Sequence, residues 1–335
     1  MSVLYVKEQG SYVKKSGETV EVMSRQNERL LTFPVANLDG LSVFGNVQLT
    51  TQALAFLLEN GVDVSLFSRN GTLIGQVLAD ASKNIFLRLA QYDAYQDFDI
   101  RMGLARVIIC NKIENQCQLI QHYRYKDGFS PQQELGKMEK LKRKLETCMT
   151  SNEILGVEGM CSNIYFSCFA HMVSCNFEFS GRNRRPPKDP INVILSLGYT
   201  FLTREVCTAL EAESFEVYLG FLHGVRYGRK SLALDMVEEF RQPVVDRFVI
   251  RSFNKRILNE FDFEVEEDKV TLAEEGFSKF CREFENWMTG RKSVQPVNYR
   301  KLIRSQAAGL KKALRDKTDY TPYHWEGGRD LCDQL

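Results

Sequence analysis

Near residue 80 the spacing of apolar residues changes, and two different kinds of structure follow from it. Before that point, short β-rich runs are separated by turn residues: VLYV, ETVEVM, RLLTF, LSVFG, VDVSLFS and TLIGQVL. Asn70-Gly71, between the last two runs, is a hairpin signal, because both residues tolerate the positive φ of a tight primed turn. One helical pattern, TTQALAFLLENG, interrupts the strands; Thr50 or Thr51 can cap it and Gly61 can end it. After about residue 83 the period is helical almost throughout. Long amphipathic segments cover KNIFLRLAQYDAY and DIRMGLARVIICNKIENQCQLIQHY, and a highly charged helix is expected over residues 131–149. A further helix is expected to begin near Glu158, with others over 190–212, 231–240 and 243–258. FEVEEDKVTL reads as a small hairpin inserted among the helices. Thr271 and Glu274 have the spacing of a capping box opening a helix over 272–289. The expected fold class is α+β. A small β-strand-rich N-terminal domain over 1–82 precedes a larger all-α domain over 83–320 and a C-terminal tail over 321–335.

The bulk numbers narrow the function classes. In 335 residues, 44% are hydrophobic and 26% charged, the balance of a soluble globular protein with a sizeable core. A net charge of +1 gives no global field toward DNA or an anionic membrane, so such binding must come from local patches. The nine cysteines are scattered without a CxxC pair, which argues against a disulfide framework or zinc ribbon. Cys161, Cys168 and Cys175 recur every seven residues and read as one buried helical stripe. The N-terminus lacks the pattern of a signal peptide, and no apolar run reaches about 18 residues. A cytoplasmic protein with no membrane contact is expected.

The densest chemistry lies in HGVRYGRKSLALDMVEEFR, residues 223–241. With Ser231 as the cap of a following helix, Asp235, Glu238 and Glu239 fall within an arc of about 100°. Ala233, Met236, Val237 and Phe240 form the opposite, buried stripe. Imidazole with carboxylates suits Mn²⁺ or Mg²⁺ better than a thiolate-loving metal. Arg226, Arg229 and Lys230 supply the positive charge a phosphate substrate needs. A solvated acidic face with an incidental histidine reads the same way on spacing alone, and Glu158 alone reads as a helix-start carboxylate. No GxxxxGK[ST], GxGxxG, GxSxG or HExxH motif is present.

Three blocks carry a more specific signal: LGVEGMCSNIYF (155–166), RNRRPPKDPINVILSLGYTFL (182–202) and YLGFLHGVRYGRKSLALDMVEEFRQPVVDRFV (218–249). In order and spacing they resemble the signature blocks of the CRISPR-associated adaptation integrases, the first proteins of the Cas series. DGLSVFGNVQLTTQALAFLLENGVDVSLFSRNG and ARVIICNKIENQ are similar to the same family, so the resemblance covers essentially the whole chain. It implies a metal-dependent DNA endonuclease that inserts new spacers by attack of a 3′-hydroxyl on a phosphodiester. The implied metal ligands are Glu158, His223 and Glu238, with Asp235 as a nearby acid; whether Asp235 or Glu238 is the third ligand stays open. Many members read EG-x-A-A-R where this chain has Met160, Cys161, Ser162 and Asn163, so an arginine contact there is lost. Arg182, Arg184, Arg185, Arg226, Arg229 and Lys230 are candidate contacts to DNA phosphates. The implied partners are the spacer precursor and CRISPR repeat DNA, a second copy of the chain through the β-rich domain, and a dimer of the second adaptation protein. A branched-DNA repair nuclease and a catalytically idle DNA-binding scaffold are the alternatives.

Overall fold

The computed structural model describes residues 2–78, 84–124, 128–174, 177–183, 186–266, 269–291 and 297–327. The chain forms two compact units, Met1–Ala81 and Ser82–Leu335. Arg184, Arg185, Cys175 and residues 328–335 of the tail lie outside the described residues.

The first unit has two four-stranded sheets. One runs β1 (Ser2–Val6), β5 (Leu38–Phe44), β7 (Asp63–Phe67), β8 (Leu73–Val77). In it β1, β5 and β7 are parallel, and only β7–β8 is antiparallel. Two parallel strands cannot be joined by a tight turn, so the helical pattern becomes the crossover. It is α1 (Thr51–Glu59), which lies between β5 and β7 in the chain, with the Thr50 hydroxyl accepting from the Ala53 N–H. The hairpin at Asn70-Gly71 forms as its sequence predicts, with Gly71 at φ +82°. The other sheet runs β4 (Arg29–Pro34), β3 (Thr19–Met23), β2 (Tyr12–Ser16), β6 (Gln48–Leu49). Val13, Val20, Val22, Leu41, Val43, Phe56, Leu57 and Val64, from both sheets and α1, are buried in one cluster. Each such side chain contributes roughly 1.5–3 kcal/mol of burial. β4 is an edge strand with Leu30 and Leu31 exposed.

The second unit is built around α3 (Phe98–His122), which packs on α2 (Ile85–Gln96), α4 (Gln132–Arg143), α5 (Ser151–Met172) and α7 (Ser231–Phe240). α6 (Pro190–Ala212) lies against α7 and α10 (Tyr299–Asp316). By length and composition α6 could cross a membrane, contrary to the expectation of no such apolar run. However, 72% of its apolar window is buried inside the protein. The inserted hairpin forms as β9 (Phe263–Glu266) and β10 (Lys269–Leu272). α9 (Glu274–Thr289) follows, but Thr271 lies in β10 and Ala273 is the uncapped start, so the expected capping box is absent. The helix expected over 243–258 is instead α8 (Arg247–Asn254), joined to α7 by a π-helical turn at Arg241–Asp246. The fold class is α+β, strand-rich and then helical.

Candidate active site

Three elements bring the acidic side chains together. α5 begins at Ser151, earlier than expected, where the Thr150 hydroxyl accepts from the Glu153 N–H. Glu158 is therefore two turns inside the helix, and the helix-start reading of its charge does not hold. α7 is buried on all sides: Asp235, Glu238 and Glu239 are 0%, 5% and 0% exposed. The alternative reading of a solvated acidic face does not hold, and Ser231 is the first helical residue rather than the cap. Each acid in this helix has its own work.

Asp235 organises the loop before it. Its Oδ2 accepts from the backbone N–H of Phe221 (2.6 Å) and Leu222 (3.0 Å), and its Oδ1 from that of His223 (3.0 Å). The His223 Nδ1 lies 2.6 Å from the same Oδ1. A carboxylate already taking three N–H groups faces Nδ1 as an acceptor, so in the neutral imidazole Nδ1 carries the hydrogen. Nε2 keeps its lone pair, as in a ligating histidine backed by a carboxylate. Gly220 makes this packing possible: a Cβ there would stand 2.7 Å from Asp235 Oδ2 and from the Ser231 carbonyl carbon. From α2, the Gln91 side chain donates to the Leu219 carbonyl (2.8 Å) and accepts from the Glu216 N–H (2.9 Å), anchoring the loop start.

Glu238 meets Glu158 around a third side chain. Lys112 of α3, buried, places its Nζ 2.6 Å from Glu238 Oε2 and in hydrogen-bond contact with Glu158 Oε1. Arg241 adds its Nε at 2.8 Å from the same Glu238 oxygen. Burial alone raises the Glu238 carboxyl, but the charges of Arg241 and Lys112 outweigh it and bring the group down to about 2. Arg241 is held in turn over the Tyr199 ring (4.5 Å), and the Tyr199 and Tyr165 hydroxyls donate to Asp246 at 2.5 and 2.6 Å. Burial pushes Asp246 upward although both hydroxyls and Arg241 oppose it.

Glu239 points the other way, into the strap of residues 318–327. Tyr320 donates its hydroxyl to Oε1 at 2.7 Å and the Tyr323 N–H donates to Oε2 at 3.1 Å. Asn115 donates to the Glu239 carbonyl and accepts from the Trp325 N–H, so α3, α7 and the strap are tied together.

Lys112 was not singled out in the sequence. The signal was there: Asn111, Lys112, Asn115 and Gln116 are polar at i, i+1, i+4 and i+5 inside the amphipathic helix α3, and all four are buried. As they stand, no three His, Cys, Asp or Glu side chains among the described residues are close enough to hold an ion together. The geometry brings together two pairs, Glu158 with Glu238 around Lys112 and His223 with Asp235, with both later acids on one helix. The donor chemistry fits a hard divalent cation: two carboxylates already converge on a single positive centre, and an imidazole nitrogen is left with its lone pair.

Of the cationic candidates, Arg226 is exposed in the loop and Arg229 is half-buried, donating to Ser231 Oγ and the Gly224 carbonyl. Lys230 is drawn inward to Glu211 (3.1 Å) and Cys207 (3.0 Å). Arg182 donates to Asn192 Oδ1 (2.7 Å) and Ser196 (3.0 Å) at the start of α6. Burial pushes the Cys161 and Cys168 thiols up to about 11, as suits core residues rather than thiolate ligands.

A family model described as CRISPR associated protein Cas1 matches residues 4–286. A CRISPR-associated endonuclease Cas1 from Thermus thermophilus is 33% identical over 332 residues, covering 96% of this chain and 97% of the relative. Among solved structures, a casposase bound to integration product superposes with a TM-score of 0.84 at 27% identity, covering 98% of this chain and 96% of that one. A Cas1 protein from Thermotoga maritima gives 0.81 at 28% identity, over 93% and 97%.

Proposed function

Because the chain belongs to the CRISPR-associated Cas1 family, we propose that it is a divalent-cation-dependent DNA endonuclease and integrase that inserts spacer DNA into a CRISPR array. The observation that carries this reading is the convergence of Glu158 and Glu238, from separate helices, on one positive centre. Glu158, Glu238 and His223 would hold Mn²⁺ or Mg²⁺. Once bound, the ion would polarise the scissile phosphate and offset charge on the leaving 3′-oxygen.

The chain's own residues do the rest. Asp235 acts behind His223 rather than as a ligand, fixing the imidazole's tautomer and direction through Nδ1. Arg241 and Lys112 hold the Glu238 carboxyl down at about 2, which favours its ionised form near neutral pH. No side chain serves as nucleophile. The 3′-hydroxyl of the incoming DNA forms the new P–O bond and gives its proton to water. The target strand's P–O3′ bond breaks, and its oxygen takes a proton from water. With water as the attacking group the same centre hydrolyses. Arg226 and Arg229, on the His223 loop, would meet the DNA phosphates, each contact adding salt-dependent affinity.

Two copies would pair through the β-rich unit, whose exposed edge strand β4 presents unpaired backbone groups and the side chains of Leu30 and Leu31. A dimer of the second adaptation protein would bridge such pairs on DNA in the cytoplasm. The test is a half-site integration assay with a labelled duplex. The parent should join strands in Mn²⁺ or Mg²⁺. His223→Ala should lose joining by about 100-fold or more while keeping DNA affinity, since even an outer partner of a metal ligand is worth about 10–100-fold. Normal DNA binding with no joining at any Mn²⁺ concentration would leave an idle scaffold, and cutting without joining a repair nuclease.

A further inference from the structure

We infer that Lys112 is a built-in counter-ion: its ammonium holds Glu158 and Glu238 together before a divalent cation arrives and yields its place when one enters. The inference rests on the reading above, in which those two glutamates are ligands.

Three observations carry it. First, Lys112 Nζ takes an oxygen from each glutamate, Glu158 Oε1 and Glu238 Oε2. An ion bound between the two carboxylates needs the same lone pairs, so ammonium and metal compete. Second, a resting place for the displaced ammonium exists one helical turn along α3. Gln116 is buried, its Oε1 accepts no hydrogen bond, and its Nε2 donates to Ser162 Oγ at 3.3 Å. Ser162 Oγ donates to Glu158 Oε1 at 2.8 Å, so the orphaned acceptor borders the acidic centre. Positions 112 and 116 share one face of the helix, within reach of a flexible lysine stem.

Third, the charges balance. Two carboxylates, Lys112 and Arg241 sum to zero around Glu238. Repulsion between the buried Glu238 and the half-buried Glu158 is thus quenched without metal, and a divalent ion leaves the centre two charges positive. Lys112 thereby makes attraction for a DNA phosphate conditional on the metal, and the freed ammonium stays near enough to face that phosphate.

The experiment measures Mn²⁺ binding by calorimetry, with thermal unfolding in chelator and in Mn²⁺, for the parent, Lys112→Met, Lys112→Gln and Glu238→Gln. Removing the competitor should tighten Mn²⁺ binding about tenfold or more, within the range usual for coupled binding. It should also lower the melting temperature in chelator and enlarge the rise that Mn²⁺ produces. Lys112→Gln keeps a donor for the carboxylates and serves if Lys112→Met does not fold. Variants that fold only with Mn²⁺ support the inference as well. It is overturned if both variants bind Mn²⁺ no tighter than the parent, or stay unfolded with and without it. If the parent's Mn²⁺ binding is indifferent to Glu238→Gln, the ligand assignment itself has failed.

Discussion

Tyr320→Phe removes one hydroxyl, and the structure says when that matters. The hydroxyl donates to Glu239 Oε1 at 2.7 Å, and among the described residues only the Tyr323 N–H, at 3.1 Å on Oε2, accompanies it on the carboxyl group. Burial raises the Glu239 carboxyl to about 7 even though both donors pull it down. An acid raised in the folded state loses stability as pH climbs from its ordinary value of 4.5 to its folded value. At 1.36 kcal/mol per pH unit that is a cost of roughly 3 kcal/mol, fully present above about pH 7. Without the Tyr320 donor the folded value rises further, so the variant's extra cost must grow with pH. A hydrogen bond to a charged group is worth about 1.5–3 kcal/mol and a neutral one about 1. The expected loss is therefore about 1.5–3 kcal/mol at pH 8 and about 1 kcal/mol at pH 5. Urea unfolding in chelator, followed by tryptophan fluorescence, measures it. The two tryptophans, Trp287 and Trp325, both lie in the helical unit, so the signal reports that unit alone. An equal loss at the two pH values, or a larger one at pH 5, refutes the reasoning.

Gly220→Ala places a methyl 2.7 Å from Asp235 Oδ2 and should cut strand joining about 10–100-fold by displacing the partner of His223, with DNA affinity retained in a gel-shift assay. Arg300→Met removes the guanidinium that grips the buried Glu205 and Glu285 through four hydrogen bonds, leaving Arg204 on Glu205, and should cost about 3–5 kcal/mol in urea unfolding. Glu205 is raised by burial but brought down to about 2 by Arg204 and Arg300, and Glu238 likewise by Arg241 and Lys112. Their stabilisation, at most about 3 kcal/mol each, is complete above pH 4.5 and disappears as pH falls toward 2. Acid unfolding followed by circular dichroism should show Glu205→Gln losing this part of its pH dependence.

What could be read along the chain was what short range decides. The Asn70-Gly71 turn, the Thr50 cap and the β9–β10 hairpin follow from neighbouring residues, and each forms. The start of α5 carries a local mark too, since Thr150 and Glu153 have cap spacing. Parallel pairing of β1, β5 and β7 leaves no local mark, because it is set by the crossover and the shared core. Spacing alone leaves the acids of α7 open between a metal site and a wet face, because it does not show which partners burial supplies. Arg241 and the backbone N–H groups of the His223 loop are near in sequence, but Lys112 and Tyr320 are far along the chain. Buried charge is legible only when both members of a pair are known, and in an amphipathic helix Lys112 looks like any solvated lysine.

The π-helical turn at Arg241–Asp246 takes up one residue more per hydrogen-bonded loop than α pitch does. It sets Arg241 beside Glu238 while Asp246, downstream, still reaches both tyrosines. Any relative whose rod keeps unbroken α pitch must therefore be aligned to this one with a single-residue gap between positions 241 and 246. Matching them without the gap would turn every downstream side chain by about 100° and equate positions that do different jobs.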